Sequence, residues 1–193
     1  MNNKSISASS AYGIEEHAHL FAAWAASRAA SVKGCRFTVK RGRDILEACG
    51  FNPQQPSKLE HLPEDSAIDI QHREWRKLAC ASAKKLAEKN DTYKFTHGVA
   101  AKLINVYLKT RFVCGGYHDD PKVKALHPPI DKLLLEELAR QNIGEHRKEW
   151  KSASNKGWSR MTSCEYEKLI DLIKNALSKK PLWMIEEHWK GNQ

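Results

Sequence analysis

Apolar residues recur at helical spacing through most of this chain, and no stretch of useful length alternates between apolar and polar. The one alternating run, Arg36–Lys40, is too short to carry a sheet. The pattern therefore predicts an all-α fold. A first helix over 14–33 carries Ile14, Leu20, Phe21 and Trp24 among many alanines, which are strong helix formers, and Gly34 stops it. Thr38 caps a short helix that closes at Gly50. Three prolines make 51–64 a loop. A long helix over about 65–89, with Ile68, Ile70, Trp75, Leu78, Ala79 and Leu86, breaks at Asn90-Asp91. Another follows over about 98–112 with Val99, Leu103, Val106 and Tyr107 on one side. Residues 114–128 read as a loop, and Pro128 or Pro129 suits the first turn of a helix over about 130–141. After a polar stretch at 144–161, Thr162 or Ser163 caps a last helix with Tyr166, Leu169, Ile170, Ile173 and Leu177 at helical spacing. The expected organisation is a flexible lead over 1–13 and one helical domain over 14–193.

The composition narrows the function classes. Thirty-two basic residues against 23 acidic give a net charge of +9, which favours a polyanionic partner, nucleic acid first. No apolar run is long enough to span a bilayer, and the polar start MNNKSISASSAYG has no signal-peptide core, so the expected location is the cytoplasm. The five cysteines are scattered and odd in number, as expected of reduced thiols. His17 and His19 are two apart and would point to different sides of a helix, a poor pair for zinc. There is no phosphate-cradling glycine loop of the nucleotide-binding kinds. No metal or organic cofactor is expected.

Chemistry concentrates between Thr96 and Arg140. Gly98-Val99-Ala100-Ala101-Lys102 turns from a glycine directly into a helix, where unpaired backbone N–H groups can hold a phosphate. A lysine in that first turn, set against Leu103 and Val106, can lose affinity for its proton and act as a nucleophilic amine. Further on, Leu126-His127-Pro128-Pro129-Ile130-Asp131 places an aspartate at a helix entry, where the helix dipole favours its ionised form. A carboxylate facing Lys102 could take its proton or offset a developing cation. The ordinary roles of the same residues are a solvated lysine and a helix cap.

The two elements, in this order, resemble those of the helix-hairpin-helix DNA glycosylases, in particular the 8-oxoguanine branch. The resemblance covers about a quarter of the chain. That family has a G-V-G-T-K-type hairpin, matched in spacing by Gly98–Lys102, and then a P-V-D or P-I-D element, matched by Pro129-Ile130-Asp131. Ala100 stands in the place of the second hairpin glycine, and Lys132-Leu133 follow the aspartate where the family often has histidine. The connection Cys114–His127 looks more like that of the archaeal members. The resemblance implies a helix-hairpin-helix glycosylase fold and a duplex DNA substrate with a damaged or modified base, an 8-oxoguanine-type purine first. It implies Lys102 as nucleophile at the sugar C1′, Asp131 as its activating carboxylate, and strand nicking by β-elimination.

Other residues could serve such an enzyme. Phe21, Trp24 and Trp183, with Trp189, are candidates for an aromatic sandwich around an extruded base, although core packing is their commoner role. Gly98, Val99, Ala100 and His127 are candidate DNA contacts, and Lys40, Arg41 and Arg43 a candidate phosphate clamp that Arg73, Arg76, Lys77, Lys84 and Lys85 could extend. Two alternatives stand beside the enzyme. One is a non-catalytic DNA-binding module on the same scaffold. The other is a helical ribonuclease of the HEPN class, whose arginine and histidine would correspond to Arg140 and His146, with Gly144 interrupting the helix that pair requires.

Overall fold

The structure, a computed structural model, describes residues 12–87 and 94–191. Most of the expected N-terminal lead and the Asn90-Asp91 break lie outside them. The described residues form eight α-helices, with short 3-10 turns at several of the junctions: α1 (Ile14–Ala30), α2 (Val39–Ala48), α3 (Ile68–Lys85), α4 (His97–Leu108), α5 (Pro121–Lys124), α6 (Lys132–Gln141), α7 (Arg147–Lys156) and α8 (Ser163–Leu177). No strand occurs among them; Val32 and Cys35 make one isolated bridge. None of these helices is long and apolar enough to cross a membrane.

Local chemistry sets the helix ends. Thr38 Oγ1 accepts the Arg41 N–H and starts α2. Thr162 and Glu165 bond each other's backbone N–H in a capping box that starts α8. Three expectations are corrected. The helix through Val99 and Tyr107 does not end near Phe112: it widens into π-type turns over Lys109–Tyr117. Buried Phe112 anchors that extension, and Arg111 donates to the Glu15 carbonyl and carboxylate on α1. Pro128 and Pro129 precede α6 rather than opening it, because Asp131 takes the cap position. The polar stretch 144–161 contains α7, whose Trp150 is fully buried and donates its indole N–H to the Ile143 carbonyl at 2.8 Å.

Two apolar clusters meet at α4. The first packs α1 to α5: the alanines 22, 23, 26 and 30 let α1 lie close against Val99, Ala100, Leu103, Ile104 and Tyr107. The second gathers α6, α7, α8 and the 3-10 tail Leu182–His188 around Leu134, Leu138, Trp150, Ile170 and Ile185, and Ala101 of α4 joins it. Only His97 and Val106 among the 12 residues of α4 fall outside the buried set. A helix apolar nearly all round belongs in the middle of a fold, and α4 sits there.

Candidate active site

Lys102 is buried because of where α4 lies. With an apolar cluster on either side its stem cannot run out to water, and the residue is only 8% exposed. Its Nζ reaches Asp131 Oδ2 at 3.1 Å and lies 5.8 Å from the ring centre of Trp158. Burial lowers the affinity of the ammonium for its proton, and the Asp131 carboxylate opposes that shift without cancelling it.

Asp131 does two jobs with two oxygens. Its Oδ1 accepts the Leu134 N–H at 3.0 Å and caps α6. Its Oδ2 accepts from Lys102 and also from the Trp189 indole N–H at 2.9 Å. The C-terminal tail thus closes over the pair. The same tail brings Glu186, whose Oε2 lies 2.5 Å from Lys109 Nζ, and close enough to Lys102 to act on its charge. Burial pushes the Glu186 carboxyl above its ordinary range despite the Lys109 ammonium. Beside this ion pair a pocket of about 360 Å³ is lined by Lys109, Val113, Trp183, Met184, Glu186 and Glu187.

The segment that carries Asp131 is held from below. Asn105, one turn beyond Lys102, donates to the Pro128 carbonyl at 2.8 Å and to the Tyr166 hydroxyl at 3.0 Å. The Asn105 side-chain oxygen lies 2.7 Å from His72 Nε2, and Arg76 donates to His72 Nδ1 at 2.7 Å. An arginine only donates, so His72 Nδ1 accepts and its proton sits on Nε2. Tyr166, accepting from Asn105, gives its own proton to His127 Nδ1 at 3.0 Å, and His127 Nε2 then donates to Asp69 at 2.8 Å. Every link of this buried chain joins one donor to one acceptor when both histidines are neutral. Burial accordingly lowers the proton affinity of His72 and His127.

Among the candidates read from the sequence, the structure brings Lys102 and Asp131 into contact. It places the others differently. Gly98, Val99 and Ala100 are buried and turn no free amide outward. The Gly98 N–H donates to the Met161 carbonyl at 3.2 Å and the Val99 N–H to Thr96 Oγ1 at 3.2 Å. Gly98 is needed for close packing, since a Cβ there would stand 1.8 Å from the Trp158 carbonyl oxygen. The Ala100 methyl fills the first cluster. His127 spends both nitrogens in the network and cannot meet a phosphate. Phe21 and Trp24 stack on each other on the face of α1 opposite its buried alanines, rather than sandwiching a base beside Lys102. Trp183 does line the pocket beside Lys109 and Glu186. Lys40, Arg41 and Arg43 sit in the first turns of α2, Lys40 paired to Asp44 and Arg43 to Glu47. Arg76 is wholly buried on His72, Ser163 and Glu167, and Arg73 also binds Glu167, so neither extends a phosphate clamp.

Arg140 and His146 do not share a helix. α6 ends at Gln141, Gly144 follows at φ 62°, and Arg140 is taken up by Glu137. Sequence reasoning missed Lys109, Glu186 and the hydrogen bond of Trp189. Part of the signal was present: Lys102, Asn105 and Lys109 fall at i, i+3 and i+7, a polar line on an otherwise apolar helix. Comparison with protein-family models, curated proteins and solved structures finds no match to this chain.

Proposed function

We propose that this protein is a DNA glycosylase-like enzyme that removes a damaged or modified base, an 8-oxoguanine-type purine first, with Lys102 as nucleophile. The observation that carries the reading is the buried contact of Lys102 Nζ with Asp131 Oδ2 at 3.1 Å, made across 29 positions of sequence. In the reaction Asp131 takes a proton from the Lys102 ammonium, and the freed lone pair attacks the sugar C1′. The bond from C1′ to the base breaks, and the base leaves with that electron pair and picks up a proton. Opening of the sugar ring gives a lysine Schiff base, from which loss of a C2′ proton expels the 3′ phosphate. Asp131 also offsets positive charge at C1′ while the base departs. The pocket beside Trp183, Lys109 and Glu186 offers an extruded base an apolar wall and three ionisable side chains, those of Lys109, Glu186 and Glu187. The net charge of +9 suits a DNA partner.

Borohydride trapping on duplex DNA containing 8-oxoguanine tests the chemistry. A covalent adduct is expected with the wild type and none with Lys102→Ala; an undiminished adduct in the variant would remove Lys102 from the mechanism. A second reading, a non-catalytic DNA-binding module, is favoured by one observation: both Asp131 oxygens are already engaged, one of them by Trp189. That reading expects salt-dependent duplex binding with no base release from any lesion.

A further inference from the structure

Phe21 and Trp24 form a stacked pair in open water. Their ring centres are 5.9 Å apart at 27° between planes, and the residues are 54% and 51% exposed. They lie on the outer face of α1, and Arg28 follows Trp24 one turn later on the same face. Arg28 then enters the wall of a concavity of about 690 Å³ that Arg36, Phe37, Lys40 and Arg41 also line, with Asp44 as its one acid among the described residues. Asp44 is already bound by Lys40 at 2.7 Å. The side chains of Arg28 and Arg36 make no ion pair or hydrogen bond among the described residues. From His17 to Arg43 the sequence holds six lysines and arginines and no acidic residue.

We infer that this face of α1 and α2 is a binding surface for single-stranded nucleic acid, on which an unstacked base lies against the Phe21–Trp24 pair while Arg28, Arg36 and Lys40 hold the neighbouring phosphates. Charge selects a polyanion, and the aromatic pair selects among polyanions. An exposed ring face gains most from another flat ring, and every base has one, whatever the sequence. A duplex keeps its base faces inside the stack and offers the rings only backbone and edges, so the surface fits a single strand better. The guanidinium groups match phosphate oxygens in geometry and lose little hydration on pairing. This surface does not depend on the chemistry assigned to Lys102.

The test is fluorescence anisotropy of the full chain with a labelled 20-nucleotide dT strand, the equivalent rU strand and a blunt 20-base-pair duplex over a range of salt. Phe21→Ala/Trp24→Ala is expected to weaken single-strand binding about ten- to a hundred-fold, with little effect on the duplex. Trp24→Phe should keep most of the affinity. Arg28→Gln/Arg36→Gln is expected to flatten the salt dependence by about 0.7 in log–log slope for each phosphate no longer neutralised. The dT and rU arms identify which strand is bound. All four positions lie outside the buried core, so unchanged circular dichroism is expected of each variant. No binding of either strand, or wild-type single-strand affinity in the aromatic double variant, would each overturn the proposal. Lys102→Ala separates this inference from the enzymatic one: it should abolish trapping and leave single-strand affinity intact. Equal weakening by Lys102→Ala and by the aromatic variant would also overturn it.

Discussion

The two partners of the Lys102–Asp131 pair are not equivalent. Asp131 has two donors besides Lys102, the Leu134 N–H and the Trp189 indole, so it stays satisfied when the lysine is gone. Lys102 has Asp131 as its one anionic contact within hydrogen-bonding distance among the described residues, and it is buried. Lys102→Met replaces a desolvated ammonium with an apolar chain of similar length, and its effect on stability is expected to stay within about 1 kcal/mol. Asp131→Ala removes a helix cap and leaves the lysine charge unpaired, so a loss of about 3–5 kcal/mol is expected. Asp131→Asn retains a capping oxygen and should fall between the two. Urea midpoints of the three variants check the ordering; equal losses from Lys102→Met and Asp131→Ala would mean that the pair acts as a symmetric salt bridge. Trp189→Phe tests the tail. It deletes the indole donor to Asp131 Oδ2 while keeping an aromatic ring, and should raise the trapping rate if release of that bond gates access to Lys102.

At the scale of elements, the join between α4 and the Gly157–Met161 segment decides whether Lys102 is held in place. Gly98→Ala drives a methyl into the Trp158 carbonyl, which is backbone and cannot swing aside. A loss of about 1–3 kcal/mol or more is expected from such overpacking, read as a lower denaturant midpoint. Ala100→Gly restores the glycine of the hairpin pattern, yet here it removes a fully buried methyl from mid-core. It should cost about 1 kcal/mol in helix propensity alone; a stabilised Ala100→Gly would show that the turn wants glycine for its own sake. The helix order was legible in the sequence because caps and periodicity are local: Thr38, Asp131 and Thr162 sit at the ends where such residues belong. The lysine and aspartate were legible as a pair of candidates. What escaped was non-local. α7 hides its anchor, Trp150, among charged residues. The use of His127 and Asn105 as struts depends on Asp69, His72, Tyr166 and Pro128, which no spacing connects. The amides of α4 looked free because the sequence does not tell that Met161 folds back onto Gly98.

Across the whole molecule, acid sensitivity follows from the histidines. His19, His72, His97 and His127 all hold protons less readily in the folded chain than in the unfolded one, in each case first through burial. Above the ordinary histidine value, about 6.5, both states are neutral at these sites and the network keeps its full contribution. Below it the unfolded chain takes up protons that the folded chain refuses, so stability falls with pH by up to about 1.4 kcal/mol per pH unit for each such group. The paired carboxylates act in a different window. Asp69, held by His127 and Lys174, and Glu167, held down to about 2 chiefly by Arg73, keep their charge until the pH falls below the ordinary carboxylate range. Between about pH 6.5 and 4.5 the four histidines therefore outweigh the other groups, and Glu186, whose carboxyl burial raises, acts in the opposite sense. Denaturant midpoints measured at pH 7.5, 6.5, 5.5 and 5.0 should fall slightly over the first step and more steeply below it. Removing one titrating group while keeping a neutral hydrogen-bonding side chain, as in His127→Gln, should make that drop shallower even though the variant starts less stable. A level profile down to pH 5 would mean that these histidines take up protons as readily in the fold as in the unfolded chain, which would rule out the neutral network running from Arg76 through Asn105 to Asp69.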